Sequence, residues 1–256
     1  MEANYPILQF DPSPTAILNP HAKPLVGGTP HKAVLCFFQD VLEELAGSGE
    51  LRPVGYLLSE IGNNPIYELD GQGTRLLVMH PGVGAALAVG FMEELIGMGV
   101  RQFIACGGCG VLKSDMAAGH AVVLNAAVRD EGTSYHYLPP GREVAASPTA
   151  VAVLQQILTE HNLPFETGKS WTTDGLYRET VARRERRMAE GCLVVEMEAA
   201  AFFAVAHFRR VTFGQVVYGG DLVVPEGWDK RPWDRRSNVR QSLFRLAVEA
   251  CQKLSD

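Results

Sequence analysis

Residues 194–221 read Val-Val-Glu-Met-Glu-Ala-Ala-Ala-Phe-Phe-Ala-Val-Ala-His-Phe-Arg-Arg-Val-Thr-Phe-Gly-Gln-Val-Val-Tyr-Gly-Gly-Asp. Two carboxylates flank a methionine, an Ala-rich apolar run follows, and a Val-rich run closes on Gly219-Gly220-Asp221. The first run has the composition of a buried helix and the second that of a buried strand. Burying Glu196 and Glu198 at the head of that helix is costly unless they find partners. Two readings supply a partner. One is a polar ligand such as a sugar diol; the other is the first turn of the helix, where the dipole favours negative charge.

Working outward, the pattern is regular from Arg75. Strands are expected at Arg75–His80, Arg101–Cys106, Ala121–Val128, Phe165–Thr172 and Val211–Tyr218. Helices are expected at Ala85–Met98, Pro148–His161, Arg178–Ala189 and Ser237–Lys253, besides the Glu196 helix itself. Strands alternating with helices predict an α/β fold with a mostly parallel, helix-covered sheet. Before Arg75 the spacing suggests a helix over Ala33–Leu45, stopped by Gly47-Ser48-Gly49, and strands at Leu51–Leu58 and Ile66–Leu69. Residues 1–30 are rich in Pro, Gly and Asn and read as an arm of loops with one short strand at Thr15–Leu18. At 256 residues the chain is expected to form one such domain.

The net charge of -6 provides no general attraction to nucleic acid or an anionic membrane. No apolar run has the length of a membrane span, and the first residues lack the basic and apolar regions of a signal peptide. Five scattered cysteines suit reduced thiols, so a cytoplasmic protein is expected. Cys106 and Cys109 form the one Cys-x-x-Cys pair; with no second pair at ligand spacing, neither structural zinc nor another metal is expected. A redox pair is the alternative reading, against which the two glycines between them suggest a turn.

In such a sheet, ligands collect beyond the carboxyl ends of the strands. Three expected strands end in informative residues: Gly82/Gly84, Gly107/Gly108 and Gly220/Asp221. Glycine there admits a ligand close to the backbone, whose N–H groups can cradle an anion or a sugar oxygen, although a plain sharp turn explains each loop equally. Asp221 is open to two readings, a cap for the next segment or a carboxyl that holds a proton as general acid. The segment Trp171–Glu179 could face a heterocyclic base, with Leu176 and Tyr177 stacking and Arg178 pairing with an acceptor, or simply lead into a helix capped by Asp174. Arg183–Arg187 reads as a solvated helix face. His136 reads as structural or exposed.

Several stretches together resemble the nucleoside phosphorylase superfamily, particularly its uridine phosphorylase-like branch. They are His-Pro-Gly-Val-Gly-Ala (80–85), Glu-Glu-Leu-Ile-Gly-Met-Gly-Val (93–100), Gly-Gly-Cys-Gly (107–110), Asp-Glu-Gly-Thr-Ser-Tyr-His-Tyr (130–137), Thr-Asp-Gly-Leu-Tyr (173–177), Val-Glu-Met-Glu-Ala (195–199) and Gly-Gly-Asp (219–221). The resemblance implies a central mixed sheet ringed by helices. It also implies cleavage of a nucleoside's N-glycosidic bond, with inorganic phosphate as co-substrate and no other cofactor, in a homo-oligomer (dimer or hexamer). By resemblance Glu198 binds the ribose hydroxyls with help from Glu196, Met197 packs on sugar and base, and Asp221 protonates a departing purine. Gly108 falls between sugar and phosphate, and Leu176 lies against the base.

The chain also departs from that pattern. The family's phosphate-binding Gly-Asp-Pro-x-Arg loop is matched to Asn19-Pro-His-Ala-Lys-Pro24, and its arginine before the Gly-rich loop is Ala105. The arginine reaching over from a neighbouring subunit matches Glu60. The glutamine and arginine that read uracil fall near Thr180 and Ala182. His21, Lys23 and Arg178 are the substitutes in view. Two alternatives therefore stand beside phosphorolysis: hydrolysis by water, and nucleoside binding or storage without catalysis.

Overall fold

The computed structural model describes residues 5–20, 23–71, 74–232 and 237–255. Eleven strands join in one mixed sheet. Strand β1 (Lys32–Cys36) pairs in parallel with β4 (Thr74–Met79) on one side and β5 (Gln102–Val111) on the other. Beyond β4 the sheet runs out through β3 (Gly62–Gly71) and β2 (Arg52–Ser59) as an antiparallel meander. On the other side, β5, β10 (Thr212–Val224), β6 (Ala121–Asp130), β8 (Phe165–Thr173) and β9 (Cys192–Glu196) close on themselves through successive pairings. Short strands β7 (Glu143–Ala145) and β11 (Gly227–Asp229) attach to β6 and β10.

The expectation of a mostly parallel sheet needs correcting. The sheet is mixed, and six of its eleven described pairings are antiparallel. Four of the antiparallel pairings join strands consecutive in sequence, β2–β3, β3–β4, β6–β7 and β10–β11, where short connections require that sense; the other two, β10–β6 and β5–β9, lie inside the sheet.

Helices cover both faces. Helix α2 (Ala85–Met98) and helix α5 (Ala199–Arg209) pack on one face, with Phe91, Met92, Leu95, Phe202, Phe203 and Phe213 in a common core. Residues 199–206 of α5 are all buried, as the apolar composition all round this helix requires. Helices α1 (Gln39–Gly47), α3 (Pro148–Glu160) and α6 (Ser237–Lys253) cover the other face, over a core containing Phe38, Leu42, Leu154, Tyr218 and Phe244. The close seat of α3 depends on Gly214 in β10, where an added Cβ would lie 2.7 Å from the Ala150 Cβ. Gly214→Ala is expected to destabilise the fold by about 1–3 kcal/mol. Denaturant unfolding checks this, and an unchanged midpoint would mean that α3 rides up without cost.

Several expected elements differ. Residues 33–36 are strand, and the helix begins at Gln39. Ala33–Cys36 is buried on both faces of the sheet, so it carries no period of two to set it apart from a helix. Thr15–Leu18 is not a strand: Asn19 folds back to accept from Ala16 N–H and donate to Ala16 C=O, and Ile17 is fully exposed. Gly107–Gly110 lies inside β5 and not in a turn, which places Cys106 and Cys109 in separate cores on opposite faces of the strand. A strand's alternation keeps residues three apart from bridging. Finally, Arg183–Arg187 in helix α4 (Val181–Ala189) is only in part a solvated face, with Glu185 and Arg186 exposed. Arg184 and Arg187 are buried; Arg184 donates to the Val223 carbonyl (2.7 Å), and Arg183 and Arg187 reach Asp130 (3.0 and 3.5 Å). Charge pairing lets a polar helix pack where apolar spacing gave no sign of it.

Candidate active site

The candidate site lies where the sheet forks. Strand β5 pairs with β1 as far as Cys36 and Cys106, and the Phe37 N–H donates to the Cys106 carbonyl at 3.0 Å. From Gly110 onward its partner on that side is β9, through Val195. Among the described residues no strand pairs with 107–109 there, while β10 still pairs with them on the other side. The result is an opening at the carboxyl ends of β1, β4 and β5. Gly107 leaves room for the close approach of Phe37, whose ring would stand 3.1 Å from an added Cβ.

The Glu-Met-Glu segment enters this opening from β9. Glu196 is the last residue of β9 and Glu198 is the N-cap of α5. Glu196 is buried and serves the turn: Oε2 accepts from the N–H groups of Glu198 (2.8 Å) and Ala199 (2.6 Å), and Oε1 accepts from the Thr172 hydroxyl (2.6 Å). That is helix capping by a strand residue. Glu198, also buried, reaches across to α2, where its Oε1 accepts from Gly84 N–H at 2.5 Å. Gly84 is the N-cap of α2 with φ 94°, a conformation that glycine adopts without strain. Glu198 thus lies at the N-termini of two helices, both favouring its charge. Burial nevertheless dominates: it pushes both carboxyls above their ordinary range, and the neighbouring Glu196 charge raises Glu198 further, to about 8. Met197 between them is half-buried.

Beside Glu198, the turn 81–84 is closed by Gly82 N–H donating to His80 Nδ1 at 3.0 Å. Burial holds His80 below the usual imidazole range. Strand β10 continues through Gly219-Gly220, so Asp221 lies within a strand and does not cap a helix. It is half-buried, and its Oδ2 accepts from Trp228 Nε1 at 2.6 Å. Gly110 in β5 faces Asp221, with 3.7 Å from an added Cβ to Oδ2. Glu179, half-buried before α4, is pushed up to about 7 by burial and then by the Asp221 charge. Leu176, Tyr177 and Arg178 form a short 3-10 turn, and all three are exposed. Asp174 accepts from Gly132 N–H at 2.8 Å, while Thr180 caps α4.

A model of the family described as the phosphorylase superfamily matches residues 32–254. The chain belongs to the phosphorylase superfamily. Similar to it in sequence is the guanosine phosphorylase of Halorubrum lacusprofundi, 29% identical over 188 residues, covering 71% of this chain and 78% of that protein. In fold it is similar to uridine phosphorylase from Vibrio fischeri ES114 (TM-score 0.74, 19% identity, 94% of this chain and 100% of that one). It is also similar in fold to AMP nucleosidase from Bacteroides thetaiotaomicron (TM-score 0.69, 22% identity, 88% of each chain).

Within that superfamily framework, the fold moves one expected match. Of the stretch matched by sequence to the superfamily's phosphate loop, the described residues Asn19, Pro20, Lys23 and Pro24 are not at the fork. Pro20 packs on Gly97, near the far end of α2 from Gly84, and Lys23 lines a cavity with Leu57, Phe91 and Met98. His21 lies outside the described residues. The segment leaving the carboxyl end of β1 is Phe37-Phe38-Gln39-Asp40. Reading 33–36 as helix hid this. Two basic side chains near the fork were also missed. One is His80, held neutral by burial; the other is the cation Arg240 in α6, which is buried, ion-paired with Asp40 at 2.7 Å and 5.0 Å from the Phe38 ring centroid.

Proposed function

We propose that this protein cleaves the N-glycosidic bond of a nucleoside by phosphorolysis, giving free base and a (deoxy)ribose 1-phosphate. The observation that carries the reading is Glu198, a buried carboxylate at the fork between Gly84 and Glu196. Such a group has lost its water and accepts hydroxyl donors in exchange. Glu198 binds the ribose 2′ and 3′ hydroxyls, and Glu196 assists by holding the turn. Met197 packs on sugar and base, and the backbone at Gly82, Gly84, Gly107 and Gly108 lines the sugar and anion side. Leu176, Tyr177 and Arg178 close over the base. Asp221 protonates the leaving base. Phosphate is the one co-substrate, with no cofactor or metal; Arg240 and Arg178 are the cations available to meet it, and His80 is a neutral hydrogen-bonding partner. The protein acts in the cytoplasm as one domain that forms a homo-oligomer, without binding nucleic acid or membrane. No helix among the described residues is long and apolar enough to cross a membrane.

A second reading is hydrolysis. It is favoured by Phe37 at the end of β1 and Ala105 in β5, where a dianion would want charge-assisted donors. Chromatography of the base released from purine and pyrimidine nucleosides, with and without phosphate, separates the two. Release that depends on phosphate is expected. Equal release without it makes the enzyme a nucleosidase, and tight binding with no release makes it a binding or storage protein.

A further inference from the structure

Asp221 has one hydrogen-bond donor among the described residues, and that donor comes from outside the superfamily-like motifs that the sequence offers. Strand β11 folds back on β10 with Val223 opposite Trp228 and Val224 opposite Gly227. In that antiparallel register Trp228 is the diagonal neighbour of Asp221 on the same face, a separation that a large aromatic side chain spans. Its indole Nε1 then meets Asp221 Oδ2 at 2.6 Å. The ring is 62% exposed, so burial does not account for its place. A three-residue edge strand with an exposed tryptophan gains little from apolar packing. Its defined contact at this end is the one with the acid.

An indole N–H donates and never accepts. A carboxyl oxygen held by it is an acceptor, a task the carbonyl-type oxygen does better than the hydroxyl, so the acidic proton is favoured on the other oxygen. The two oxygens of Asp221 become inequivalent: Oδ2 is committed to Trp228, and Oδ1, held by no donor among the described residues, is left to hold the proton. We propose that Trp228 is a positioning residue that commits Asp221 Oδ2 to the indole and presents Oδ1 as the oxygen that protonates the leaving base. As the C1′–N bond breaks, its electron pair passes to the base. The Oδ1 proton moves to a base nitrogen, C1′ is taken by phosphate or water, and Asp221 is left ionised with Oδ2 still bound to the indole. This role rests on the reading of Asp221 as general acid.

The test combines spectroscopy with kinetics. In the ¹⁵N–¹H spectrum of the full chain, the indole signal of Trp228 is assigned by its loss in Trp228→Phe. It is expected to move to a water-exposed position in Asp221→Ala. Trp228→Phe keeps an aromatic ring without the donor. It is expected to lower kcat for nucleoside cleavage roughly ten- to a hundredfold, with KM changed less than about twofold. Because the two side chains act as one unit, Asp221→Asn/Trp228→Phe should be no slower than Asp221→Asn alone. An indole signal indifferent to Asp221→Ala overturns the proposal. So does wild-type kcat in Trp228→Phe, or a loss that appears in KM and adds to that of Asp221→Asn, as base stacking would give. If Asp221→Asn itself turns over at the wild-type rate, the acid reading falls and takes the role of Trp228 with it. A crippled Asp221→Asn beside an unimpaired Trp228→Phe removes the role of Trp228 alone.

Discussion

Asp221→Asn is expected to slow base release about a hundredfold or more while nucleoside affinity stays within about threefold. Asparagine matches aspartate in shape and can still accept from the Trp228 indole through its amide oxygen, so the 2.6 Å contact need not be lost. What it cannot do is give a proton to the departing base. Cleavage leaves negative charge on the base, and a purine can take the proton on its imidazole ring. The loss should therefore be larger for purine than for pyrimidine nucleosides. Single-turnover release and equilibrium dialysis of the same variant measure the two quantities separately. Undiminished release from a purine nucleoside would mean that Asp221 is not the proton donor, and Glu179, pushed up to about 7 close by, would be the next group to replace.

How far the sequence carried the reading depended on the kind of signal each element has. Helix α2 was legible to the residue, because Gly84 and Gly99 bound an apolar run interrupted by Glu93-Glu94 alone. Strand β10 was legible in its valines, but its continuation through Gly219-Gly220-Asp221 was not, since two glycines usually mark a turn. The same bias hid the middle of β5. Strands β1 and β9 escaped because each is a five-residue run buried in the sheet centre, with no alternation for periodicity to detect. The consequence for the site was concrete. Missing β1 put the phosphate loop match at Asn19–Pro24 and overlooked Phe37; missing β9 put Glu196 inside a helix when it ends a strand and caps the helix that follows. The clasp of Trp228 on Asp221 could not be read at all, because it depends on a hairpin register that only the folded chain defines.

Glu198→Gln should trade function for stability, and the trade should depend on pH. Burial and the adjacent Glu196 raise Glu198 in the folded chain from 4.5 to about 8. Between those values the native state holds a proton that the unfolded chain has released. The associated stability is complete below about 4.5 and is lost as pH rises through about 8, and the raised Glu196 acts in the same direction. A shift of that size corresponds to a cost on the order of 3–5 kcal/mol by pH 9. Glutamine carries no charge to desolvate, so the variant should escape much of the decline: nearly wild-type stability at pH 5 and a higher unfolding midpoint at pH 9. Parallel stability curves from pH 5 to 9 would show that Glu198 is not held protonated. The same physics predicts how ligand binds. Ribose hydroxyls donate to the ionised carboxylate, so nucleoside binding should release a proton near pH 7 and tighten as pH rises from 6 to 8. Calorimetry in buffers of different ionisation enthalpy would detect that proton with the wild-type chain. With Glu198→Gln the proton should vanish and kcat/KM should fall about tenfold or more. A proton released equally by both proteins would assign it to another of the raised carboxyls, Glu179 or Glu131, and would move the ribose contact away from Glu198.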